Sequence, residues 1–243
     1  LVLIDVQTDQ DVVGRAYVFC YTPLMLKPVS AILKEIEGLI AGKPVAPADR
    51  FHDLSRTFRL LGRQGLVGMA LSGLDMALWD ALGCAAGRPV VELLGGTAKP
   101  VPAYDSFGLI DPVADRKMLE QSIGAGFRAI KIKIGEGSAA EDAAMIRAVR
   151  DIIGADIQLM VDLNQSQSAT DAIRRIDRLA ACDLTWVEEP VAAEDLEGHA
   201  RVRAASPIPV QTGENWWFPA DMARAIAAGA CDMAMPDLIK IGG

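Results

Sequence analysis

The rhythm of apolar and polar positions along the chain changes once, close to Pro100. Before this residue, two apolar runs at positions 1–6 and 12–19 flank a polar turn, which predicts a β-hairpin. Helical periodicity then recurs over positions 23–41, 47–61 and 65–86, with a short helical turn at 89–94. We therefore expect an α+β domain over residues 1–100.

After Pro100, short apolar runs alternate with helical patterns, and this repeat predicts a parallel sheet with helices over its faces. The expected strands are 101–107, 129–134, 158–163, 185–188, 210–213 and 233–236, and the expected helices are 111–125, 139–153, 168–181, 195–205 and 219–228. A barrel and a doubly wound sheet both fit this repeat. The dinucleotide-binding form of the doubly wound sheet is disfavoured, because no G-x-G-x-x-G follows the first strand.

The expected number of strands is small for a complete (β/α)₈ barrel, which takes roughly 250 residues. If the region 101–243 is a barrel, we expect it to be truncated after about six strands, as a piece of a longer chain. The chain also begins with Leu1 inside a strand-like run, so we expect the natural N-terminus to be missing.

Composition and charge exclude some partners. The 243 residues are 51% hydrophobic and 23% charged, which is ordinary for a globular protein. The net charge of −8 argues against a nucleic-acid surface and against binding to anionic membranes, although a local group of cations would still hold an anionic substrate. We find no signal segment and no uninterrupted apolar run long enough to cross a bilayer.

The four cysteines, Cys20, Cys84, Cys182 and Cys231, are scattered without metal-binding spacing. We interpret them as reduced, mostly buried thiols, which are typical of a cytoplasmic protein.

The segment from Ile130 to Gly135 alternates isoleucine and lysine with a period of two, as a β-strand does. This alternation places Lys131 and Lys133 on one face and the isoleucines on the other. Two interpretations are open: an edge strand with a solvated lysine face, or two ammonium groups directed into one site. In the second case each ammonium lowers the pKa of the other, which makes a lysine a usable base near neutral pH.

Three acids, Asp162, Glu188 and Glu214, follow apolar runs at equal intervals. The interval is about one βα unit, so we expect each acid at the C-terminal end of its strand, where barrel enzymes place their sites. One acid at a strand end is ordinarily a helix cap or a solvated residue, but three in register would repel one another without a cation. Oxygen ligands favour Mg²⁺, and the absence of a His or Cys ligand pattern disfavours Zn²⁺.

A metal ion beside a lysine base suits the removal of a proton α to a carboxylate. The metal and nearby cations stabilise the enediolate charge as it develops, and the lysine takes the proton. A further acid and lysine, Asp237 and Lys240, close the strand that follows Glu214. The C-terminal ends of the predicted strands, called the rim here, therefore carry bases, metal ligands and an additional acid in chain order.

Seven short segments, spread over the chain, form a recognisable set. They are DMALWDALG at 75–83, AYDS at 103–106, KIK at 131–133, VDLNQS at 161–166, WVEEP at 186–190, GENW at 213–216 and AMPD at 234–237. Together they resemble the enolase superfamily and, within it, the mandelate racemase subgroup. The resemblance implies a parallel (β/α) barrel, a modified TIM barrel, over residues 101–243, with an α+β capping domain over residues 1–100.

The resemblance also implies catalytic roles. Lys133 would be the base that acts on one enantiomer, and Lys131 would contact the substrate carboxylate and lower the pKa of Lys133. Asp237 would pair with a histidine of the following strand, and that dyad would act on the opposite enantiomer. Muconate-lactonizing relatives have a lysine at the position of Asp237, so the aspartate favours the racemase-type subgroup. Lys240 has no firm assignment beyond bracing the metal ligands.

The binding residues follow in the same way. The resemblance implies that Asp162, Glu188 and Glu214 bind Mg²⁺, and that Ser106 and Asn164 contact the substrate.

Two departures from the family pattern affect these expectations. The catalytic histidine is expected beyond Gly243, and neither His52 nor His199 replaces it, because both lie in helical patterns where a surface or structural role is expected. Phe107 stands where the family has a polar residue near the pocket, so we expect a substrate that differs from mandelate.

Three hypotheses follow for function. The favoured one is Mg²⁺-dependent racemisation of a mandelate-like 2-hydroxy acid, which the segment at 213–216 favours over the alternative, an acid-sugar dehydratase. A non-catalytic scaffold is disfavoured, because unneeded like charges gathered at one site destabilise a fold. We expect a small carboxylate substrate, a homo-oligomer, and no nucleic-acid or membrane partner.

Overall fold

The computed structural model describes residues 1–243, which form two compact units. The first unit contains Leu1–Pro100, Trp216–Asp221 and Pro236–Gly243, and the second contains Val101–Asn215 and Met222–Met235. The strands are β1 (Val2–Gln7), β2 (Val13–Val18), β3 (Asp105–Ser106), β4 (Ala129–Lys133), β5 (Gln158–Asp162), β6 (Val187–Glu188), β7 (Val210–Thr212) and β8 (Met233–Ala234). The α-helices are α1 (Leu26–Ile40), α2 (Pro47–Thr57), α3 (Leu66–Ala86), α4 (Val90–Leu93), α5 (Arg116–Gly124), α6 (Ala139–Ile153), α7 (Ala169–Leu179), α8 (Leu196–Ala205), α9 (Phe218–Ala228) and α10 (Leu238–Ile241).

The first unit is built around the predicted hairpin and helix α3. Strands β1 and β2 pair antiparallel along their whole length. Helix α3 ends at Gly87, whose left-handed backbone (φ 61°) is the usual terminator of a helix. Most residues of α3 are buried, so the hydrophobic core of this unit forms around it.

Two glycines allow the hairpin to lie directly against α3. A Cβ atom at Gly14 of β2 would lie 2.1 Å from the backbone oxygen of Ala77, and one at Gly73 of α3 would lie 2.5 Å from the Val18 side chain. Both distances are too short for real atoms, and interiors packed at crystal-like density have no room to adjust. The close approach of the two elements therefore requires glycine at both positions.

Helix α3 is long and apolar enough, by length and composition alone, to cross a membrane, although Asp75 and Asp80 interrupt its apolar run. Within the protein, however, 72% of its apolar window is buried. The helix is therefore apolar because it is the core of a domain.

The second unit contains six parallel strands in the order β3-β4-β5-β6-β7-β8. Each strand pairs with its neighbours in sequence, whereas a doubly wound sheet reverses its strand order at a switch point. The barrel-type repeat is therefore confirmed and the doubly wound alternative is wrong. Strand β4 lies between β3 and β5, so the interpretation of the lysine strand as an edge strand is also wrong.

Two elements of this unit follow directly from sequence patterns. Ile130 and Ile132 of β4 are fully buried in a hydrophobic cluster that includes residues of α6 and α7. Helix α6 begins with a capping box, in which the Ser138 hydroxyl accepts the Glu141 amide and the Glu141 carboxylate accepts the Ser138 amide. Its predicted bounds, 139–153, are confirmed.

Other elements differ from prediction. Strands β3 and β8 contain two residues each. Pro102 and Pro236 lie within the longer strands that were predicted there, and proline has no amide proton to donate to a sheet. Helix α10 was not predicted; it is too short for periodicity to reveal, and the Asp237 side chain caps it.

All four cysteines are free thiols, as predicted. Cys20 and Cys182 are buried, Cys231 is half-buried and Cys84 is exposed.

Candidate active site

The predicted rim residues of the second unit lie on neighbouring strands. Lys133 is level with Asp162, the last residue of β5, and Asp162 is level with Glu188, the last residue of β6. Asp162 and Glu188 are buried, with 2% and 0% of their surface exposed. The strand register therefore brings a candidate base and two acids to the carboxyl end of the sheet.

Glu214 does not share this level. Glu188 lies opposite Gln211, so Glu214 falls in the turn beyond Thr212, where β7 ends. Equal sequence intervals thus identify the strand end but not the register, because register depends on where each strand begins to pair. The charge of Glu214 nevertheless reaches Glu188 and raises its pKa.

Lys131 is held at the rim by an anion and an aromatic ring. Its Nζ lies 2.5 Å from Glu188 Oε1 and 5.4 Å from the centroid of the Tyr104 ring. Burial lowers the pKa of Lys131, but the charge and hydrogen bond of Glu188, with the charges of Tyr104 and Asp162, outweigh burial, so the pKa is raised overall. Neighbouring anions, rather than the second lysine, therefore set the protonation of Lys131.

Lys133 contacts the turn that follows β5. Its ammonium donates a hydrogen bond to Asn164 Oδ1. The Asn164 backbone is left-handed (φ 41°), and its amide donates to Asp162 Oδ1 at 2.8 Å. Asn164 thus links the candidate base to a candidate metal ligand. Ser106 is exposed and lies level with Lys131 across the β3–β4 pair.

The acids carry more negative charge than Lys131 neutralises. Burial raises the pKa of Glu188 to about 7; Lys131 opposes this rise, and the charges of Asp162 and Glu214 add to it. Glu188 Oε2 is buried without a hydrogen-bond partner. A buried carboxylate oxygen without a donor is a suitable ligand for a cation, and carboxylates are the ligands that Mg²⁺ prefers.

The donor chemistry of the rim therefore fits a magnesium ion. No group of three or more His, Cys, Asp or Glu side chains forms a ready-made ligand cluster in the structure. Shared ligation by the three acids therefore stays a prediction.

A third buried carboxylate at the strand ends, Glu189, was not predicted from the sequence. It is 0% exposed and its backbone is left-handed (φ 42°). Burial raises the pKa of Glu189 to about 7, a hydrogen bond from Asn215 opposes the rise, and the charge of Glu214 adds to it. The available signal was an acid directly beside a predicted ligand at the end of a buried strand.

Asp237 and Lys240 belong to the first unit. Asp237 Oδ1 accepts the Ile239 amide at 2.9 Å, and its Oδ2 accepts the Tyr21 hydroxyl at 3.0 Å. Lys240 is buried, with Nζ 4.4 Å from the centroid of the Tyr21 ring. The predicted pairing of Asp237 with a histidine stays a prediction.

The remaining candidates have structural positions. His52 is exposed on α2, which fits a surface role, and His199 is buried in α8, which fits a structural role. Phe107 is half-buried and packs against the hydrophobic core of the second unit. The expectation that it alters the substrate stays a prediction.

A cavity of about 900 Å³ lies in the first unit, lined by β1, α1 and the segment after α1. None of the predicted site residues lines it. Chemistry rather than cavity size therefore identifies the candidate site as the strand ends of the second unit.

Comparison with models of protein families identifies both parts of the chain. Residues 1–95 match the model described as mandelate racemase / muconate lactonizing enzyme, N-terminal domain. Residues 114–243 match the model described as enolase C-terminal domain-like.

The chain is similar to two curated relatives and to one solved structure whose names state an activity or a bound molecule. The D-galactarolactone cycloisomerase of Agrobacterium fabrum is 39% identical over 250 residues, covering 100% of this chain and 65% of the relative. The L-talarate/galactarate dehydratase of Salmonella typhimurium is 34% identical over 221 residues, covering 88% of this chain and 55% of the relative.

The solved structure is an enolase from Bradyrhizobium, crystallised with magnesium and mandelic acid. It superposes with a TM-score of 0.96 at 57% sequence identity and covers 99% of this chain and 67% of its own. The chain thus spans about half to two thirds of the length of these relatives.

Proposed function

Because this chain belongs to the enolase superfamily, with the domains of the mandelate racemase and muconate lactonizing enzyme family, we propose that the full-length protein removes a proton α to a carboxylate. The observation that carries the proposal is the common level of Lys133, Asp162 and Glu188 on three adjacent strands. A base and metal-binding acids must lie side by side for this reaction.

The proposed ligands of the cofactor, Mg²⁺, are Asp162, Glu188 and Glu214. The bound ion supplies a Lewis acid that stabilises the negative charge developing on the substrate carboxylate. The buried and unpartnered Glu188 Oε2 supports this assignment, as does the excess of carboxylates over cations at the rim.

In the proposed reaction, Lys133 takes the α-proton on its Nζ. Asn164, which accepts a hydrogen bond from this lysine, holds Nζ beside the acids. Lys131 stays protonated beside Glu188, so it neutralises the substrate carboxylate instead of taking a proton. Ser106, level with Lys131, is the proposed hydrogen-bonding partner of the substrate.

The substrate proposed here is a 2-hydroxy acid of the mandelate type, and the proposed outcome is racemisation. The 57% identical Bradyrhizobium enolase, which was crystallised with mandelic acid, supports this choice. Racemisation needs a base on each face of the α-carbon. Lys133 serves one face, and Asp237, through a histidine, is proposed to serve the other.

A second candidate is an acid-sugar dehydratase or cycloisomerase, which the names of the two curated relatives favour. Dehydration begins with the same abstraction of the α-proton. The enediolate then expels the hydroxyl of the next carbon, and a single base is sufficient.

The proposal also includes a cytoplasmic location, which the four free cysteines support. The expected homo-oligomer stays a prediction.

The test is deuterium incorporation from D₂O into each pure enantiomer of mandelate, catalysed by the full-length protein with Mg²⁺. Lys133→Ala should abolish racemisation and the exchange of one enantiomer but spare exchange of the other, and Asp237→Asn should do the reverse. Lys117→Ala, at an exposed position of α5, is the matched control and should change neither.

Suppression of the same enantiomer by both variants would overturn the two-base racemase. In that case, release of water from an acid sugar would identify the dehydratase. No exchange from any α-hydroxy acid would overturn proton abstraction itself.

A further inference from the structure

The turns after β5, β6 and β7 carry a second set of polar residues beside the proposed metal ligands. Glu189 and Asn215 directly follow two of these ligands, and Gln165 lies in the turn after the third. We propose that these three residues, the rim clasp, hold the ligand carboxylates in the arrangement that Mg²⁺ binding requires. This inference rests on the proposed function, because the ligands are assigned there.

The clasp is centred on the carboxylate of Glu189. Asn215 Nδ2 donates to Glu189 Oε1 at 2.7 Å, and Gln165 Nε2 donates to Glu189 Oε2 at 3.4 Å. Gln165 Oε1 in turn accepts the amide of Ala193 at 2.8 Å. Side chains from three successive strand ends are therefore joined through one carboxylate.

Backbone hydrogen bonds run parallel to these contacts. The Gln165 amide donates to the Glu189 carbonyl at 2.8 Å, and the Glu189 amide donates to the Gln211 carbonyl at 3.0 Å. Main-chain hydrogen bonds therefore also join the turns after β5 and β6 and strand β7.

The backbone conformations of this region are unusual for residues with a Cβ atom. Asn164, Gln165 and Glu189 have φ values of 41°, 63° and 42°. Left-handed backbone of this kind is unfavourable outside glycine, persists only where the surroundings hold it, and clusters at functional sites. The hydrogen bonds of the clasp supply that restraint at two of the three strand ends.

Glu189 acts as a positioning residue in this arrangement. It is 0% exposed, and both carboxylate oxygens accept hydrogen bonds from side-chain amides. These two donors fix the orientation of the carboxylate beside the proposed ligands. Partners of metal ligands commonly set metal affinity, and their loss typically weakens binding by about 10–100-fold.

The test measures Mg²⁺ affinity of the full-length protein by calorimetry and the symmetry of bound Mn²⁺ by electron paramagnetic resonance. Glu189→Gln places an amide NH₂ against that of Asn215 and should weaken Mg²⁺ binding by about 10–100-fold. Glu194→Gln, the same change at an exposed position of the loop after β6, should leave affinity unchanged.

A swap of donor and acceptor separates positioning from general damage to the fold. In the double variant Glu189→Gln/Asn215→Asp, the amide at position 189 donates to the carboxylate at position 215, and its oxygen still accepts from Gln165. The charge and both hydrogen bonds return, so Mg²⁺ affinity should recover to within about threefold, since the ligands themselves are unchanged. The Mn²⁺ spectrum should return to that of the wild type.

Three outcomes decide the matter. Weak binding by Glu189→Gln with recovery in the double variant supports the clasp. Wild-type affinity in Glu189→Gln, or failure of the double variant to recover, overturns it. Asp162→Asn tests the premise independently: if this variant binds Mg²⁺ as tightly as the wild type does, the ligand assignment of the proposed function fails.

Discussion

In the first unit, glycine packs against alanine where the hairpin lies on helix α3; in the second unit, a lysine pairs with a carboxylate at the strand ends. Gly14 lies against Ala77 and Ala81 with no room for a methyl group. Lys131, by contrast, is buried against Glu188, beside the buried Asp162. The first arrangement maximises dispersion contacts, and the second concentrates charge where water is excluded.

This difference separates stability from chemistry within one chain. Buried like charges destabilise a fold unless a cation holds them, so the acids at the rim of the second unit should cost stability. Substitutions in the two units should therefore have opposite consequences for stability and activity.

The largest effect is expected for Asp162→Asn. Loss of one proposed ligand should lower turnover by at least about 10²–10³-fold and weaken Mg²⁺ binding, because a main electrostatic stabiliser is lost. The metal-free protein should be as stable as the wild type or more stable, since a buried charge has been removed. Steady-state kinetics and thermal melting in EDTA provide the two measurements. A large drop in melting temperature in EDTA would show that Asp162 contributes to stability, contrary to this prediction.

Gly14→Ala should produce the opposite result in the first unit. The new methyl group would meet backbone atoms of Ala77 and Ala81, which cannot move without displacing α3, so we expect a loss of about 3 kcal/mol in the free energy of unfolding. Urea denaturation of the metal-free protein measures this loss.

Gly38→Ala is the matched control for that measurement. It lies in α1, and nothing stands within 4 Å of the added Cβ. The same substitution should stabilise the protein there by about 0.5–1 kcal/mol, the difference in helix propensity. Equal effects at Gly14 and Gly38 would show that the hairpin contact is not close.

A third prediction concerns how the stability of the first unit depends on pH. Burial raises the pKa of Asp75 from 3.8 to about 6, while a hydrogen bond with Trp79 opposes the rise. The native state then binds the proton more tightly than the unfolded state does, so stability falls as pH rises from about 4 to about 6 and stays low above that.

Asp75→Asn should remove this dependence of stability on pH. The variant should be more stable than the wild type, by a larger margin at pH 8 than at pH 4. The difference between 3.8 and about 6 corresponds to at most about 3 kcal/mol. Melting temperatures of the two proteins across this pH range are the measurement. A constant difference between them would show that Asp75 does not titrate in this way.

The smallest effect on stability is expected for His199→Gln in the second unit. The dependence of stability on pH that His199 causes is opposite in sign to that of Asp75. Burial lowers the pKa of His199 below 6.5, although Asp195 opposes the shift. The unfolded state then binds the proton more tightly, so the wild type loses stability as pH falls below about 6.5. His199→Gln should lose less over the same range in parallel melting experiments. An identical acid response in both proteins would contradict the neutral, buried imidazole.

The sequence predicted those features that depend on local patterns. The Ile-Lys alternation placed Ile130 and Lys131 on their correct faces, and Ser138 with Glu141 fixed the start of α6, because both signals are contained within a few residues. The acids were placed at strand ends for the same reason. The pairing of Glu188 with Gln211, which leaves Glu214 beyond the strand, could not be predicted, because register depends on pairing between separate strands.

The residues around the proposed ligands were harder to foresee. Left-handed backbone at Gln165 and Glu189 comes from hydrogen bonds between different turns, which no local pattern encodes. The pKa of Lys131 is likewise set by Glu188, an anion that lies far from it in sequence. Asp237 caps a four-residue helix, an element too short to give a periodic signal.

The sequential order of the six parallel strands also bears on how the molecule forms. Each of β4 to β8 pairs with the strand that left the ribosome one βα unit earlier, so no strand has to wait for a distant partner. Modest separation between pairing segments speeds folding, and domains commonly fold as the chain is made. The second unit can therefore grow by one strand and one helix at a time, and the buried carboxylates at its rim should come together only when β6 and β7 have been added.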